Sequence, residues 1–169
     1  MSGTIPSHTP KAALAALILG SALAFTACGK KEEKQAESAP AGAPAQAAPI
    51  VITANDQMQY STKAIEAAAG SEVTIILQNI GTMPKESMGH NFTLLQAGTV
   101  VADFATKAMA AKETDYIPAG DPAVIAHTKL LGPGESDTLK FTAPPAGEYP
   151  YVCTFPGHFA VMQGILTTK

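Results

Sequence analysis

The sequence has no tryptophan and no arginine, and its 169 residues include only two cysteines, Cys28 and Cys153. Without arginine, and with its lysines scattered, the chain has no basic run of the kind that binds nucleic acid. Residues 50–169 hold seven lysines against eleven acidic residues, so this part of the chain is mildly acidic. Roughly 120 residues are enough for one domain, and we expect a monomer.

The N-terminal apolar run is too short to span a bilayer comfortably. It covers residues 12–25, which is 14 residues, whereas a transmembrane helix needs about 20. A polar stretch ending at Lys11 precedes the run, and small residues and a break follow it, an order typical of a secretory signal peptide. The stretch "FTAC" then looks like a bacterial lipoprotein cleavage site, with Ala27 directly before Cys28.

The lipoprotein interpretation divides the N-terminal part of the chain in two. Residues 1–27 would be removed, and acylation of Cys28, with palmitate for example, would anchor the protein to a membrane. Because Gly29 is not the aspartate that many bacteria read as inner-membrane retention, we expect the outer membrane. The alternative is an ordinary signal peptide with an incidental cysteine. Residues 28–49 are rich in Ala, Pro, Lys, Glu and Gln, which predicts a disordered tether.

The domain at 50–169 reads as a series of short strands. Segments rich in β-branched and alternating apolar residues are separated by Gly and Pro, as strands usually are. They lie at residues 50–54, 71–79, 91–96, 123–131, 137–143, 148–153 and 164–169. This pattern predicts an all-β fold, a Greek-key β-sandwich or barrel of seven to eight strands. Residues 102–116 are rich in helix formers and predict a short helical flap.

Soft-metal donors cluster near the C-terminus. Cys153, His158 and Met162 follow a C-x4-H-x3-M spacing, and Pro156 and Gly157 bend the chain between thiol and imidazole. If Cys28 is acylated, the Cys153 thiol has no partner for a disulfide, which suggests a chemical role.

A second imidazole is available from His90, which directly precedes a predicted strand. Two imidazoles, a thiolate and a weak thioether form the ligand set of blue-copper electron-transfer sites. Another histidine, His127, lies in a predicted strand, and we interpret it as structural or solvent-facing. Alternatives for the Cys153 group are a buried apolar thiol, a Cys–His nucleophile, and a copper storage or delivery site.

Several motifs resemble the azurins, a family of bacterial blue copper proteins with a cupredoxin-like fold. They are "NDQMQY" (55–60), "MGHN" (88–91), "VIAHTKLLGPGESD" (124–137) and "CTFPGHFAVMQGILTTK" (153–169). The N-terminal lipoprotein site and tether are similar to those of lipid-modified azurins. The resemblance covers essentially all of 50–169 and implies a non-enzymatic, one-electron Cu(I)/Cu(II) shuttle in the cell envelope.

The resemblance also assigns roles to individual residues. It places the copper ligands at His90, Cys153 and His158, a long axial thioether at Met162, and a weakly bound backbone carbonyl at Gly89. Asn91 matches a residue whose hydrogen bonds steady the ligand loops. The implied apolar docking patch consists of Met58, Met83, Met88, Phe155, Pro156, Gly157 and Ala160. The implied redox partners are c-type cytochromes, a copper nitrite reductase or a cytochrome c peroxidase.

The chain departs from the usual azurin pattern at three places. It lacks the cysteines of the disulfide that ties two N-terminal strands. Phe92 occupies the region of the usual core tryptophan, so we expect a repacked core. Asn79 stands where many azurins have a titrating histidine, which argues against pH-linked redox behaviour based on that group.

Overall fold

In the computed structural model, residues 47–169 are described. The predicted signal peptide, the acylation site at Cys28 and most of the predicted tether lie outside the described residues. Residues 47–49 are exposed and form no regular secondary structure before the first strand begins at Ile50. Between residues 47 and 169, no helix combines the length and the apolar character needed to cross a membrane.

The described residues form nine strands, two α-helices and one 3₁₀ helix. The strands are β1 (Ile50–Asn55), β2 (Gln59–Tyr60), β3 (Ala64–Ala67), β4 (Glu72–Asn79), β5 (Thr93–Leu95), β6 (Val124–His127), β7 (Ser136–Thr142), β8 (Gly147–Val152) and β9 (Gln163–Thr168). The helices are α1 (Lys85–Met88), α2 (Val101–Met109) and the 3₁₀ helix Lys112–Thr114.

Two sheets make up the domain, which confirms the predicted all-β sandwich. One sheet has the order β2-β1-β4-β7 and the other the order β3-β9-β8-β5-β6. The pairs β1–β4 and β3–β9 are parallel, and the remaining pairs are antiparallel. The sequential pairs β1–β2, β5–β6 and β8–β9 are antiparallel neighbours, and between them the chain crosses from one sheet to the other, which gives the parallel pairs the crossovers they need.

The strand count is higher than the seven to eight that the sequence predicts. The two additional strands are β2, which has only two residues, and β3, whose sequence is Ala-Ile-Glu-Ala. Alanine and glutamate favour helices in isolation, so the sequence of β3 gives no strand signal. Its conformation is set by parallel pairing with β9, from Ala64 opposite Ile165 to Ala67 opposite Thr168.

Alternating burial along the strands builds the core between the sheets. In β4, Val73, Ile75 and Leu77 point inward, and each is at most 3% exposed. Such alternation is the expected period of a strand with one buried face. Phe92 is fully buried and stacks on Tyr151 with ring centroids 4.8 Å apart. A phenylalanine–tyrosine stack therefore fills the core of this tryptophan-free domain.

The predicted helical flap is present as two short helices. Helix α2 covers residues 101–109, and the 3₁₀ helix follows at 112–114. Helix α2 buries Phe104 and Ala108 in a small cluster with Leu95 and Val152. This packing holds the flap against the β5–β8 part of the second sheet.

Candidate metal centre

Three donor side chains from two separate segments meet at one end of the sandwich. One nitrogen each of His90 and His158 and the sulfur of Cys153 all lie within 4.8 Å of one another. Each of the three residues is at most 3% exposed. The Sγ atom of Cys153 lies 3.5 Å from Nδ1 of His158, and the two histidine rings have centroids 5.1 Å apart. The arrangement is a closed pocket for a single small cation.

The loop between β8 and β9 delivers three of the predicted donors. The backbone N–H of His158 donates to the carbonyl of Phe155 at 3.1 Å, which closes a tight turn over Pro156 and Gly157. Gly157 has φ +85°, and proline followed by a residue with positive φ is the signature of a type II turn. This turn brings the His158 ring back toward Cys153.

The same loop closes on itself at Met162. The N–H of Cys153 donates to the Met162 carbonyl at 3.0 Å, and the N–H of Met162 donates to the His158 carbonyl at 2.9 Å. Met162 is fully buried and belongs to the same apolar cluster as Cys153 and Phe155. The chain therefore fixes the thioether residue directly beside the thiol and imidazole residues.

His90 comes from the other ligand-bearing segment, and a β-bridge to Leu131 holds it in place. Its N–H donates to the Leu131 carbonyl at 3.1 Å, and the Leu131 N–H donates back at 2.7 Å. The preceding Gly89 is buried, and a Cβ atom there would lie 2.7 Å from the Lys85 carbonyl and 2.9 Å from Cγ of Leu130. Any larger residue at position 89 would push the His90 segment away from its neighbours.

Burial favours the neutral forms of the ionisable groups in this cluster. It raises the pKa of the Cys153 thiol to about 11, although the backbone N–H groups of Asn91 and Phe155 hydrogen-bond to the sulfur and lower it. Burial, together with the nearby His90, lowers the pKa of His158 to about 4. Burial also lowers the pKa of His90, which the Asn55 backbone and the Asp56 carboxylate partly offset. The histidines are therefore uncharged at neutral pH, the form that binds metals.

The two ring nitrogens of His90 test whether a metal ion fits this pocket. Neither Nδ1 nor Nε2 has a hydrogen-bond partner of normal geometry among the described residues, although the ring is fully buried. Buried polar groups are nearly always paired, so a ligand for His90 is expected. A copper ion fits because thiolate, thioether and imidazole donors suit its Cu(I) state and imidazole suits both oxidation states.

Asn91 connects the two ligand-bearing segments. Its Oδ1 accepts from the N–H of Thr154 at 2.8 Å, and its Nδ2 donates to Thr154 Oγ1 at 2.7 Å and to the Asp115 carbonyl at 3.0 Å. His90 and Cys153 are the sequence neighbours of this pair, so the amide fixes the distance between them. Sequence analysis missed Thr154 and Asp115. Thr154 could have been found from its place beside Cys153, but no local signal points to Asp115.

Most residues of the predicted docking patch lie in loops at the same end of the sandwich, and Met88 is the last residue of helix α1. Asp56 links two of these loops, since its carboxylate accepts from the N–H of Thr82 at 2.9 Å and of Met83 at 3.3 Å. The patch residues differ in exposure. Met83, Gly157 and Ala160 are exposed, Met58, Met88 and Pro156 are half-buried, and Phe155 is buried.

His127 and Asn79 lie outside the donor cluster. His127 is exposed at the end of β6, with its Nδ1 3.0 Å from the Thr128 carbonyl, as expected for a solvent-facing residue. Asn79 is buried, donates to the Leu131 carbonyl at 3.2 Å and accepts from the N–H of Gly81 at 2.9 Å. Asn79 thus supports the segment around Leu131, which forms the β-bridge with His90.

The two-sheet fold and the Cys–His–His donor set are typical of blue copper proteins. Comparison with known proteins places the chain in the same class. The profile of the family described as "Copper binding proteins, plastocyanin/azurin family" matches residues 47–169. The chain belongs to this family of copper-binding proteins. Its cofactor is one copper ion, and its fold and site are those of a blue copper protein.

The relatives of this chain within the family include azurins and outer membrane proteins. The chain is 42% identical over 124 residues to azurin of Pseudomonas denitrificans, a match covering 71% of this chain and 97% of that protein. It is 45% identical over 121 residues to outer membrane protein H.8 of Neisseria meningitidis serogroup B, covering 69% of this chain. The matched region spans only 64% of the length of that H.8 protein.

Solved structures give the same result for the fold. An azurin, Az-iso2, from Methylomonas sp. strain J superposes with a TM-score of 0.66 at 35% identity and covers 73% of this chain and 99% of that one. Dithionite-reduced auracyanin from Roseiflexus castenholzii superposes with a TM-score of 0.67 at 33% identity, covering 73% and 98%. These matches confirm the predicted cupredoxin-like architecture.

Proposed function

We propose that this protein is a one-electron carrier whose copper ion is bound by Cys153, His90 and His158, with Met162 and the Gly89 carbonyl as weak axial donors. The observation that carries the proposal is the closed cluster of one thiol and two imidazoles, in which both nitrogens of His90 are buried without a hydrogen-bond partner of normal geometry among the described residues. Bound copper would supply a centre that alternates between Cu(I) and Cu(II). The surrounding residues supply a fixed set of donors for both states.

The enclosure of the site favours electron transfer over chemistry on a substrate. The donors are at most 3% exposed, and two backbone hydrogen bonds tie Cys153 and His158 to Met162. A rigid ligand set changes little when the electron moves, which lowers the cost of reorganisation. The resemblance to azurins implies partners such as c-type cytochromes, a copper nitrite reductase or a cytochrome c peroxidase, which would dock on the apolar patch near His158.

A Cys–His thiol enzyme is the less favoured function. An activated nucleophile needs a lowered thiol pKa and access to substrate. Cys153 has neither, because it is fully buried and burial raises its pKa to about 11. Copper delivery also fits less well, since a delivery site exposes labile donors and these donors are enclosed.

The similarity to H.8 supports the location predicted from the N-terminus. H.8 is named an outer membrane protein, and the sequence here has a lipoprotein-type cysteine at position 28 followed by a Pro/Ala-rich segment. We therefore place the copper domain in the bacterial cell envelope, anchored through an acylated Cys28, most simply at the outer membrane.

Electron transfer can be tested with a patch variant and a matched control. Met83 and Met109 are both exposed methionines, at 40% and 47%, but Met109 lies on helix α2 outside the patch. Mixing oxidised protein with a reduced c-type cytochrome in a stopped-flow instrument should show second-order electron transfer. Met83→Lys should slow it roughly tenfold, the effect of about 1.4 kcal/mol of lost docking energy, and Met109→Lys should not.

Two results would contradict the proposal. If the copper-loaded protein exchanges no electrons with any of the three partner classes, a carrier function fails. If Met83→Lys and Met109→Lys behave alike, electron transfer stands but the docking patch is wrong.

A further inference from the structure

Tyr60 buries its hydroxyl beside the metal-ligand segment. It lies on the two-residue strand β2 and is 5% exposed. Its hydroxyl donates a hydrogen bond to the backbone carbonyl of Asn91. Burial raises the pKa of Tyr60 well above its usual range, with a further contribution from the nearby Cys153. The phenol is therefore a protonated donor throughout the physiological pH range.

Asn91 is the residue through which Tyr60 can act on the site. Its N–H hydrogen-bonds to the sulfur of Cys153, and its side-chain amide is bound to Thr154, the residue after that cysteine. Its backbone carbonyl accepts the buried hydrogen bond that the Tyr60 hydroxyl donates. Asn91 is thus held through its N–H, its side-chain amide and its carbonyl.

The backbone carbonyls of the two residues that flank Asn91 accept hydrogen bonds of a different kind from that of Asn91 itself. The His90 carbonyl accepts from the Leu131 N–H at 2.7 Å, and the Phe92 carbonyl accepts from the Thr128 N–H at 3.0 Å. Both are ordinary backbone pairs. The Asn91 carbonyl instead depends on a side chain 31 residues away in sequence. Removing that hydroxyl would leave a buried carbonyl without its donor, which destabilises the position of Asn91.

We propose that Tyr60 is a positioning residue for the copper site, whose hydroxyl holds Asn91 so that its N–H stays on the Cys153 sulfur. The inference rests on the copper–thiolate bond proposed above. Hydrogen bonds to the cysteine sulfur tune the potential of such sites, and partners beyond the ligands orient the ligands themselves. A donor to the sulfur withdraws electron density from it and favours the reduced state. Loosening Asn91 should therefore lower the reduction potential.

The chain supplies a matched control for the test. Tyr151 is fully buried in the same aromatic cluster, with its ring centroid 5.8 Å from that of Tyr60. Its hydroxyl also donates to a backbone carbonyl, that of Thr62 at 2.9 Å, which is not part of the ligand segments. Tyr60→Phe and Tyr151→Phe thus remove the same group from the same core, but only the first removes a contact to Asn91.

The experiment compares full-length, copper-loaded wild type with the two variants. We expect Tyr60→Phe to have a lower reduction potential by voltammetry and a shifted copper–thiolate absorption band. We expect Tyr151→Phe to keep both wild-type values while losing thermal stability. Wild-type values for both properties in Tyr60→Phe would overturn the proposal, as would equal shifts in both variants, because the effect would then come from core packing.

A second measurement uses only the wild-type chain, in case Tyr60→Phe does not fold. In the reduced, diamagnetic protein, NMR should show a slowly exchanging tyrosine hydroxyl proton close in space to Asn91. Its absence would overturn the proposal. A wild-type protein without the copper–thiolate band would instead remove the proposed function itself, so the two failures are distinguishable.

Discussion

At the residue scale, the ring nitrogens of His90 are the feature that a bound cation would explain. Neither nitrogen has a hydrogen-bond partner of normal geometry among the described residues, and a buried polar group without a partner costs free energy. A copper ion would accept a lone pair from each imidazole and displace the proton of the Cys153 thiol, whose pKa burial raises to about 11. Copper binding would therefore release a proton at neutral pH.

Met162 provides a prediction at this scale. Met162→Leu conserves volume, and such exchanges usually cost less than about 1.5 kcal/mol, so the fold should survive. Because an axial donor favours Cu(II), we expect the visible band to remain and the reduction potential to rise. Met58→Leu is the control, since Met58 is a half-buried methionine outside the ligand loop. An unchanged potential in Met162→Leu would show that the thioether is not bound to the metal.

At the element scale, the β8–β9 loop is the part of the fold that makes the site. It holds Cys153, His158 and Met162 within ten residues, and its turn depends on Gly157 at φ +85°. A residue with a side chain in this left-handed region costs about 1–2 kcal/mol. The backbone conformation of the turn therefore favours glycine at this position. Crowding does not, because the space around the missing Cβ is open.

Gly157→Ala and Gly70→Ala separate the effect on the site from the effect on stability. Gly70 has φ +75° and equally open surroundings, but it lies in the β3–β4 turn at the far end of the sandwich. Both variants should lose similar stability in thermal unfolding. Only Gly157→Ala should weaken copper binding in a competition titration with a chelator. Equal copper affinities in the two variants would mean that the turn does not position His158.

The same elements show what the sequence can and cannot predict. The alternating pattern of β4 and the spacing of Cys153, His158 and Met162 are local features of the sequence. The strand and the donor set could therefore be predicted from the sequence directly. The strand β3 could not, because its residues favour helix and only the pairing with β9 makes it extended. The contacts of Tyr60 and Asp115 with Asn91 were also missed, since they join residues 31 and 24 apart in sequence.

At the scale of the whole domain, the described chain enters at the end opposite the copper site. Residues 47, 48 and 50 line a groove with residues 66–68 and 71, and Ala69 there bonds to the C-terminal Lys169. Strand β1 then runs for six residues, about 20 Å, to Asn55 beside the site. A partner would therefore approach the copper end without obstruction from residues 47–49.

Cys28 and Cys153 should have separable roles in the intact protein. We expect Cys28→Ser to move the protein from the membrane fraction to the soluble fraction while its visible band is retained. Cys153→Ser should stay in the membrane fraction and lose the band. Cell fractionation followed by absorption spectroscopy measures both properties. A Cys28→Ser protein that still fractionates with membranes would show that acylation of this residue is not the anchor.

The central claim is a copper–thiolate bond at Cys153, and the visible absorption spectrum after addition of Cu(II) tests it most directly. Wild-type protein should develop an intense blue band that ascorbate bleaches, and Cys153→Ser should show only weak copper absorption. This pair of results would establish a one-electron centre that depends on the thiolate. A colourless wild-type protein, or a blue band that persists in Cys153→Ser, would contradict the claim.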